Sequence, residues 1–140
     1  MEAPKMKVLI VEDDFTSRIL LQKLLSPYGE CHIAVNGKEA VFAFREALEA
    51  GHPYDLVCLD IMMPEVDGHA ALKEIRSLEE AWDIVSTHGA KIIMTTALGD
   101  IKNVAGAYHG LCDGYLVKPI DKAKLIGVLD ELKLFKRRTP

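Results

Sequence analysis

Short apolar runs alternate along this chain with segments in which apolar residues recur at helical spacing. Five of these runs are read as β-strands, at residues 7–11, 31–35, 55–59, 91–95 and 114–117. Continuous apolar runs of this length are typical of parallel strands that are buried on both faces. Strict alternation of strand and helix predicts an α/β fold, in which a doubly wound parallel sheet of five strands carries helices on both faces.

Five helical patterns connect and follow the strands. The first covers residues 15–25, the second places Ala40, Phe44 and Leu48 on one stripe, and the fourth, over 101–109, has few apolar residues. The third is the longest and continues to about residue 85. The apolar stripe of the third helix is Ala71, Ile75, Leu78, Trp82 and Val85, and that of the last helix is Leu125, Val128, Leu129, Leu132 and Phe135.

Composition restricts the class of protein. A chain of 140 residues, of which 49% are hydrophobic and 27% charged, predicts one soluble domain without a second one. The net charge of −4 argues against general nucleic-acid binding. No apolar stretch approaches the ~20 residues that a membrane span needs. Cys31, Cys58 and Cys112 lack metal-ligand spacing and fit a reducing compartment, so a cytoplasmic protein is expected.

Polar residues follow four of the five strands, at the point where each apolar run ends. These residues are Glu12-Asp13-Asp14, Asp60, Thr95-Thr96 and Lys118-Pro119. The carboxyl ends of parallel strands meet at one edge of the sheet, where α/β proteins bind their ligands. The sequence therefore predicts an acidic crevice that also holds a hydroxyl group and a lysine.

Each of these residues also has a simpler structural explanation. Asp14 can cap the following helix, although two adjacent carboxylates repel each other unless a cation is present. Asp60 is poorly placed as a cap and can act as a nucleophile toward phosphorus. Lys118 is either a surface lysine or a phosphate-binding cation. One of Thr95 and Thr96 can pack in the sheet while the other offers its hydroxyl.

In combination these motifs resemble the response-regulator receiver domain of two-component signalling, especially its single-domain chemotaxis-type members. The matching segments are Val11-Glu12-Asp13-Asp14, Leu59-Asp60-Ile61-Met62-Met63-Pro64, Asp67-Gly68, Met94-Thr95-Thr96-Ala97 and Gly114-Tyr115-Leu116-Val117-Lys118-Pro119. The resemblance implies a flavodoxin-like fold with strand order 2-1-3-4-5. It also implies that residues 1–140 form a single receiver domain, with a core over about 6–135 and no effector domain.

The resemblance implies a role for each matching residue. Asp60 would accept a phosphoryl group, Lys118 would pair with a phosphoryl oxygen, and Thr96 and Tyr115 would switch position on phosphorylation. Mg²⁺, with Mn²⁺ as an alternative ion, would be held by four groups of the chain. These groups are Asp14 directly, Asp13 largely through water, Asp60, and the backbone carbonyl of Met62.

Three positions depart from the family pattern, and the third helix is longer than usual. Val66 replaces a methionine that is common in the family, while Met62 and Leu98 occupy positions that tune how fast phosphate is lost. We attribute the longer helix to an extra turn that packs around Trp82. These departures leave the predicted metal site intact.

The leading hypothesis is a stand-alone phospho-acceptor switch that catalyses only its own phosphorylation and dephosphorylation and is not otherwise an enzyme. Its expected partners are a sensor histidine kinase or phosphotransfer protein and an unknown downstream protein, but neither nucleic acid nor membrane. The output face would be the fourth helix, fifth strand and last helix. A monomer or weak dimer is expected.

Two other functions are weighed against it. A metal-dependent phosphatase would place a second acid two residues after the nucleophile, where this chain has Met62. A phosphate-independent interaction module would not need the complete set of site residues.

Overall fold

The computed structural model describes residues 6–61, 68–84, 88–97 and 111–134. Within these ranges there are five strands and four helices, which alternate as predicted except between β4 and β5, where residues 98–110 are outside the described ranges. The strands are β1 (Met6–Val11), β2 (Gly29–Ala34), β3 (Leu56–Asp60), β4 (Lys91–Ala97) and β5 (Gly114–Lys118). The helices are α1 (Phe15–Leu25), α2 (Gly37–Glu49), α3 (Gly68–Ala81) and α4 (Lys122–Glu131).

The strands form one parallel sheet with the order β2-β1-β3-β4-β5. This order confirms the predicted fold class. In the register of the sheet, Val11 lies beside Leu59, Asp60 beside Thr95, and Ala97 beside Lys118. The polar residues that end β1, β3, β4 and β5 therefore meet at one edge, as the sequence predicts.

Each face of the sheet supports its own half of the hydrophobic core, because side chains alternate along a strand. On one face, Leu9, Val57 and Ile92 pack with residues of α2 and α3, including Phe44 and Leu72. The other face buries a second set against α1 and α4. That set includes Val8, Ile10, Cys58, Ile93, Leu21, Leu25, Leu125 and Leu129. All five residues of β3 are buried, so the strand that carries Asp60 is held from both sides.

The third helix differs from the prediction, because α3 ends at Ala81 rather than near residue 85. Asp83 adopts a positive φ of 57°, and Ile84 N–H donates to the carbonyl of Glu79 at 2.9 Å. This left-handed residue with a hydrogen bond back into the last turn ends a helix. The side chain of Trp82 is 47% exposed, so the extra turn of packing predicted around Trp82 is wrong.

Several predicted features lie outside the described residues. They are the helix over 101–109, the buried positions Val85 and Phe135, and the family positions Met62, Val66 and Leu98. None of the helices in the described ranges combines the length and the hydrophobicity needed to cross a membrane.

Candidate phosphoryl and metal site

Glu12 and Asp13 extend from the end of β1 into the crevice at the carboxyl edge of the sheet. Glu12 N–H donates to the carbonyl of Ala34 at 3.0 Å, which continues the pairing of β1 with β2 by one residue. The side chain of Glu12 is completely buried, whereas Asp13 is exposed. The first strand therefore delivers one carboxylate to the interior of the crevice and one to its mouth.

Asp60 completes a cluster of three carboxylates. It is the last residue of β3, is 4% exposed, and lies beside Thr95 of β4. One carboxylate oxygen from each of Glu12, Asp13 and Asp60 lies within 4.8 Å of the other two. Three oxygen ligands at this separation, with one side open to solvent, suit a hard divalent cation such as Mg²⁺.

Lys118 brings a positive charge to the same cluster from the end of β5. Its Nζ donates a hydrogen bond to Asp60 Oδ2 at 3.3 Å and lies 2.9 Å from Glu12 Oε1. Burial alone would lower the pKa of Lys118, but the Glu12 and Asp60 carboxylates outweigh it and raise that pKa above its usual value. Lys118 is therefore charged at neutral pH. The peptide bond between Lys118 and Pro119 is cis.

The negative charge of the cluster exceeds what Lys118 can neutralise. Burial, together with the nearby Asp60 carboxylate, raises the pKa of Glu12 from 4.5 to about 7. Glu12 Oε1 is buried, and the approach of Lys118 has the distance of an ion pair but not the angle of a hydrogen bond. A buried carboxylate oxygen without a hydrogen-bond donor among the described residues fits a cation site, because a metal ion would offset both the burial and the repulsion.

Asp14, predicted as the direct metal ligand, lies elsewhere. It is the N-cap of α1, where its Oδ2 accepts a hydrogen bond from Ser17 N–H at 2.9 Å. Hydrogen bonds from the backbone and the side chain of Ser17 lower the pKa of Asp14. The ligand role predicted for Asp14 is therefore revised. The Asp14 carboxylate stabilises the start of α1, and the third carboxylate of the cluster comes from Glu12 instead.

The sequence contains an indication that Glu12 belongs to the carboxylate cluster, although the family motif was assigned to Asp13 and Asp14. Glu12 is the first residue after the apolar run of β1, just as Asp60 and Lys118 directly follow the apolar runs of β3 and β5. Residues that directly follow neighbouring parallel strands lie at the same level along the carboxyl edge of the sheet. The strand ends are therefore a better guide to the cluster than the pair of adjacent aspartates.

The predicted switch residues lie on β4 and β5. Thr96 is 1% exposed, and the hydrogen bond that its hydroxyl makes within the described ranges is a long one of 3.4 Å to the carbonyl of Ala97. Thr95 Oγ1 is also buried and has no hydrogen-bond partner within the described ranges. Tyr115 is half-buried, and burial with a hydrogen bond to Cys112 raises its pKa to about 12. Thr95 therefore adjoins Asp60 in the sheet register, whereas Tyr115 lies three residues before Lys118 on β5.

Comparison with known proteins agrees with this geometry. The family model described as the response regulator receiver domain matches residues 8–130. The chain therefore belongs to the family of response regulator receiver domains. Members of this family act in two-component systems and are phosphorylated on an aspartate with Mg²⁺.

Among curated relatives, the probable transcriptional regulator ycf27 of Cyanophora paradoxa is 39% identical over 127 residues. That alignment covers 89% of this chain but 47% of the relative. The chain thus spans less than half of the length of the first curated relatives that it matches.

Two solved structures illustrate the similarity. The CheX-CheY complex of Borrelia burgdorferi, solved with BeF₃ and Mg²⁺, is 30% identical with a TM-score of 0.74, and the match covers 92% of this chain and 90% of that one. The receiver domain of the histidine kinase CKI1 from Arabidopsis thaliana, complexed with Mg²⁺ and BeF₃⁻, is 28% identical with a TM-score of 0.75 and the same coverage. Both share the fold.

Proposed function

We propose that this chain is a stand-alone phospho-acceptor switch. Asp60 accepts a phosphoryl group from the phosphohistidine of a sensor histidine kinase or phosphotransfer protein. The observation that carries the proposal is the position of Asp60, buried at the end of the central strand between two further carboxylates and a lysine. Glu12, Asp13 and Asp60 hold the Mg²⁺ ion, and Mn²⁺ is an alternative with similar ligand preferences.

The chain's own residues position the reaction. A carboxylate oxygen of Asp60 forms the new P–O bond as the P–N bond to the donor histidine breaks, and the imidazole leaves with the bonding pair. Bound Mg²⁺ would neutralise negative charge on the phosphoryl oxygens. Lys118 lies 3.3 Å from Asp60 Oδ2 and pairs with a phosphoryl oxygen, which stabilises charge that develops in the transition state.

The phosphodonor must bring its histidine to the mouth of the crevice, and α1 offers a surface for this contact. Phe15 follows the acidic segment directly and is 66% exposed, and Ile19, one helical turn later, is 45% exposed. Apolar side chains that remain exposed beside a reactive site are typical of a docking surface. We therefore place the kinase or phosphotransfer protein on this face of α1.

Phosphorylation changes the opposite side of the crevice. The Thr96 hydroxyl, whose hydrogen bond to a described residue is a long one of 3.4 Å, turns toward the phosphoryl group, and Tyr115 moves with it. The output surface comprises β5, α4 and the segment 101–109, which lies outside the described residues. A groove of about 380 Å³ between β5 and α4, lined by Tyr115, Val117, Lys124 and Val128, is the described part of this surface. An unidentified downstream protein binds there.

The remaining parts of the proposal concern location, assembly and turnover. The three described cysteines are free thiols, which supports a reducing cytoplasmic location. We propose a monomer or weak dimer that binds its target in trans. The protein catalyses only its own phosphorylation and dephosphorylation, because Met62 replaces the second acid that a phosphatase would use.

Acetyl phosphate, a small phosphoryl donor, tests the proposal. With Mg²⁺, intact-mass measurement should show the addition of one phosphoryl group, and chelation of Mg²⁺ should prevent it. An Asp60→Asn variant should not be labelled, whereas Asp130→Asn, which changes an exposed carboxylate on α4, should be labelled like the wild type. Equal labelling of the Asp60→Asn variant would show that another residue is the acceptor.

A second measurement tests the stand-alone role. Beryllofluoride-loaded and unloaded protein are compared in a pull-down, because the loaded form imitates the phosphorylated state. A partner that binds only the loaded form supports a switch that acts in trans. Identical binding in both states would favour a phosphate-independent interaction module instead.

A further inference from the structure

The strand that carries Lys118 is held by one neighbouring strand and by the burial of Leu116. β5 has five residues and lies at the edge of the sheet, where it pairs with β4 from Ile93–Gly114 to Ala97–Lys118. In a strand, a shift of one residue turns every side chain to the opposite face. Such a shift would remove the lysine from the site, so contacts that fix the register of β5 also fix the position of Lys118.

Arg76 of α3 makes these contacts at the other end of β5. Its Nε donates to the carbonyl of Leu111 at 2.8 Å, and its Nη1 donates to the carbonyl of Ala90 at 2.9 Å. Its Nη2 donates to Asp113 Oδ2 at 2.9 Å. One guanidinium therefore joins α3 to the residues just before β4 and just before β5. A planar guanidinium with several fixed donors is suited to such a junction.

Asp113 transmits this constraint to the strand ladder. Its Oδ2 also accepts a hydrogen bond from Ile92 N–H at 2.8 Å, and its own N–H donates to the carbonyl of Ile92 at 2.8 Å. Asp113 and Ile92 directly precede the first paired residues of the two strands, Gly114 and Ile93. The contact between Arg76 and Asp113 thus holds the alignment of β5 on β4 at its starting point.

Glu79 in turn holds Arg76. Its Oε1 lies 2.6 Å from Arg76 Nη1, and its Oε2 accepts a hydrogen bond from Ala90 N–H at 2.7 Å. The carboxylate is 7% exposed and the guanidinium 20% exposed, so water competes little for these bonds. The junction is therefore hydrogen-bonded on both sides and well shielded from solvent.

We propose that Arg76 is a positioning residue for Lys118, which acts through Asp113 and the register of β5 to place the ammonium group beside Asp60. The five residue steps from Asp113 to Lys118 span roughly 16 Å at the rise of a parallel strand, so Arg76 acts from the opposite end of the sheet. This inference rests on the proposed function, because it requires that Lys118 assist phosphoryl transfer.

The test compares Arg76→Ala, Lys118→Ala and the double variant in phosphorylation by acetyl phosphate. We expect Lys118→Ala to lower the rate by about a hundredfold or more, as does loss of a group that stabilises transition-state charge. Arg76→Ala should lower the rate by about tenfold, and the double variant should be no slower than Lys118→Ala, because contacting or coupled residues are not additive. Mg²⁺ affinity should stay within about twofold in Arg76→Ala, since the metal ligands lie on β1 and β3.

Two further variants serve as controls. Arg45→Ala removes an exposed arginine of α2 and should leave the rate unchanged. Arg76→Lys keeps the charge without the guanidinium fork, so it should restore the fold but only part of the rate. If Arg76→Ala does not fold, Asp113→Ala decides the question: it leaves the Arg76–Glu79 pair in place and should still lower the rate without changing Mg²⁺ affinity.

The outcomes separate the inference from the proposed function. An unchanged rate in Lys118→Ala would refute the role proposed for Lys118, and the inference would fall with it. A slow Lys118→Ala with normal rates in Arg76→Ala or Asp113→Ala would refute the inference alone. If the rate losses of the two single variants multiply in the double variant, or if Mg²⁺ affinity falls in parallel with the rate, the effect is a general structural one. Either result would also overturn the inference about Arg76.

Discussion

Two buried glutamates, one at each end of the sheet, have opposite environments. Glu79 lies at the amino-terminal end, where Arg76 Nη1 and Ala90 N–H hydrogen-bond its two carboxylate oxygens. Glu12 lies at the carboxyl-terminal end beside Asp60, where burial and like charge raise its pKa to about 7. Glu79 is thus paired and hydrogen-bonded within the chain, whereas the Glu12 and Asp60 carboxylates, which form a cluster with Asp13, share the ammonium group of Lys118.

The difference separates a structural role from a functional one. A buried charge is stable when it is paired and hydrogen-bonded, and it is costly when it is not. Retaining an unfavourable carboxylate pair at the site is understandable if a cation and a phosphoryl group bind there. At the amino-terminal end, by contrast, the Glu79 carboxylate is paired with Arg76 and hydrogen-bonded by Ala90 N–H within the chain.

The largest expected effect is on stability at the amino-terminal end. Arg76→Ala leaves Glu79 buried without its cationic partner, which typically costs about 3–5 kcal/mol when a buried ion pair loses one member. Urea unfolding would measure this loss as a lower midpoint with an unchanged slope. The exposed Arg45→Ala serves as the control and should stay within about 0.5 kcal/mol of the wild type. Equal stabilities would mean that Glu79 is not held by Arg76.

At the carboxyl-terminal end, replacing the buried Glu12 should raise the stability of the protein, whereas Arg76→Ala lowers it. In metal-free protein above pH 7, Glu12→Gln should increase stability by up to roughly 3 kcal/mol, the equivalent of the difference between a pKa of 4.5 and one of about 7. The glutamine keeps the shape of the side chain and removes the charge that burial and Asp60 disfavour. Urea unfolding in the presence of a chelator, repeated across pH, would measure it.

The sign of the pH dependence follows from the raised pKa of Glu12. Well below pH 4.5 this carboxyl group is protonated in both the folded and the unfolded protein, and its contribution is fully favourable. As pH rises to about 7, the unfolded chain loses the proton first, so stability falls. The advantage of Glu12→Gln should therefore be absent at pH 4 and complete at pH 8. A constant difference across this range would contradict the assignment.

The sequence predicted those parts of the molecule that depend on position along the strands. Asp60 and Lys118 follow apolar runs directly, and parallel strands of one sheet bring such residues together without further information. The strand order came from the family resemblance, and the sheet confirms it.

Features that depend on contacts distant in sequence could not be predicted in this way. Arg76 contacts Leu111 and Asp113, 35 and 37 residues away, and nothing in the helical pattern of α3 indicates these partners. The end of α3 was missed because Trp82 continues the apolar spacing, whereas the backbone turns at Asp83. The sequence could not decide whether Glu12 or Asp14 joins the carboxylate cluster, because the choice depends on backbone direction at the end of β1.

A smaller effect tests how tightly the Glu79 carboxylate is held. A Cβ atom at Gly89 would lie 2.6 Å from Glu79 Oε2 and 2.7 Å from Oε1. Because Arg76 and Ala90 fix these oxygens, Gly89→Ala should destabilise the protein by about 2 kcal/mol, within the range for overpacking. In the control, Gly127→Ala places a methyl group in open space within α4 and should stabilise the protein by about 0.5–1 kcal/mol. A neutral Gly89→Ala would indicate that the carboxylate moves freely.

The smallest effect separates Glu12 from Asp14 as the metal ligand. Mg²⁺ at about ten times its Kd should stabilise the wild type by about 1.4 kcal/mol, because the ion binds only the folded state. Asp14→Asn should keep this gain, since asparagine caps a helix as well as aspartate does and the side chain is directed to Ser17. Glu12→Gln should lose much of it. Thermal unfolding with and without Mg²⁺ would distinguish them, and the reverse result would restore Asp14 to the metal site and leave Glu12 as a buried acid that serves another purpose.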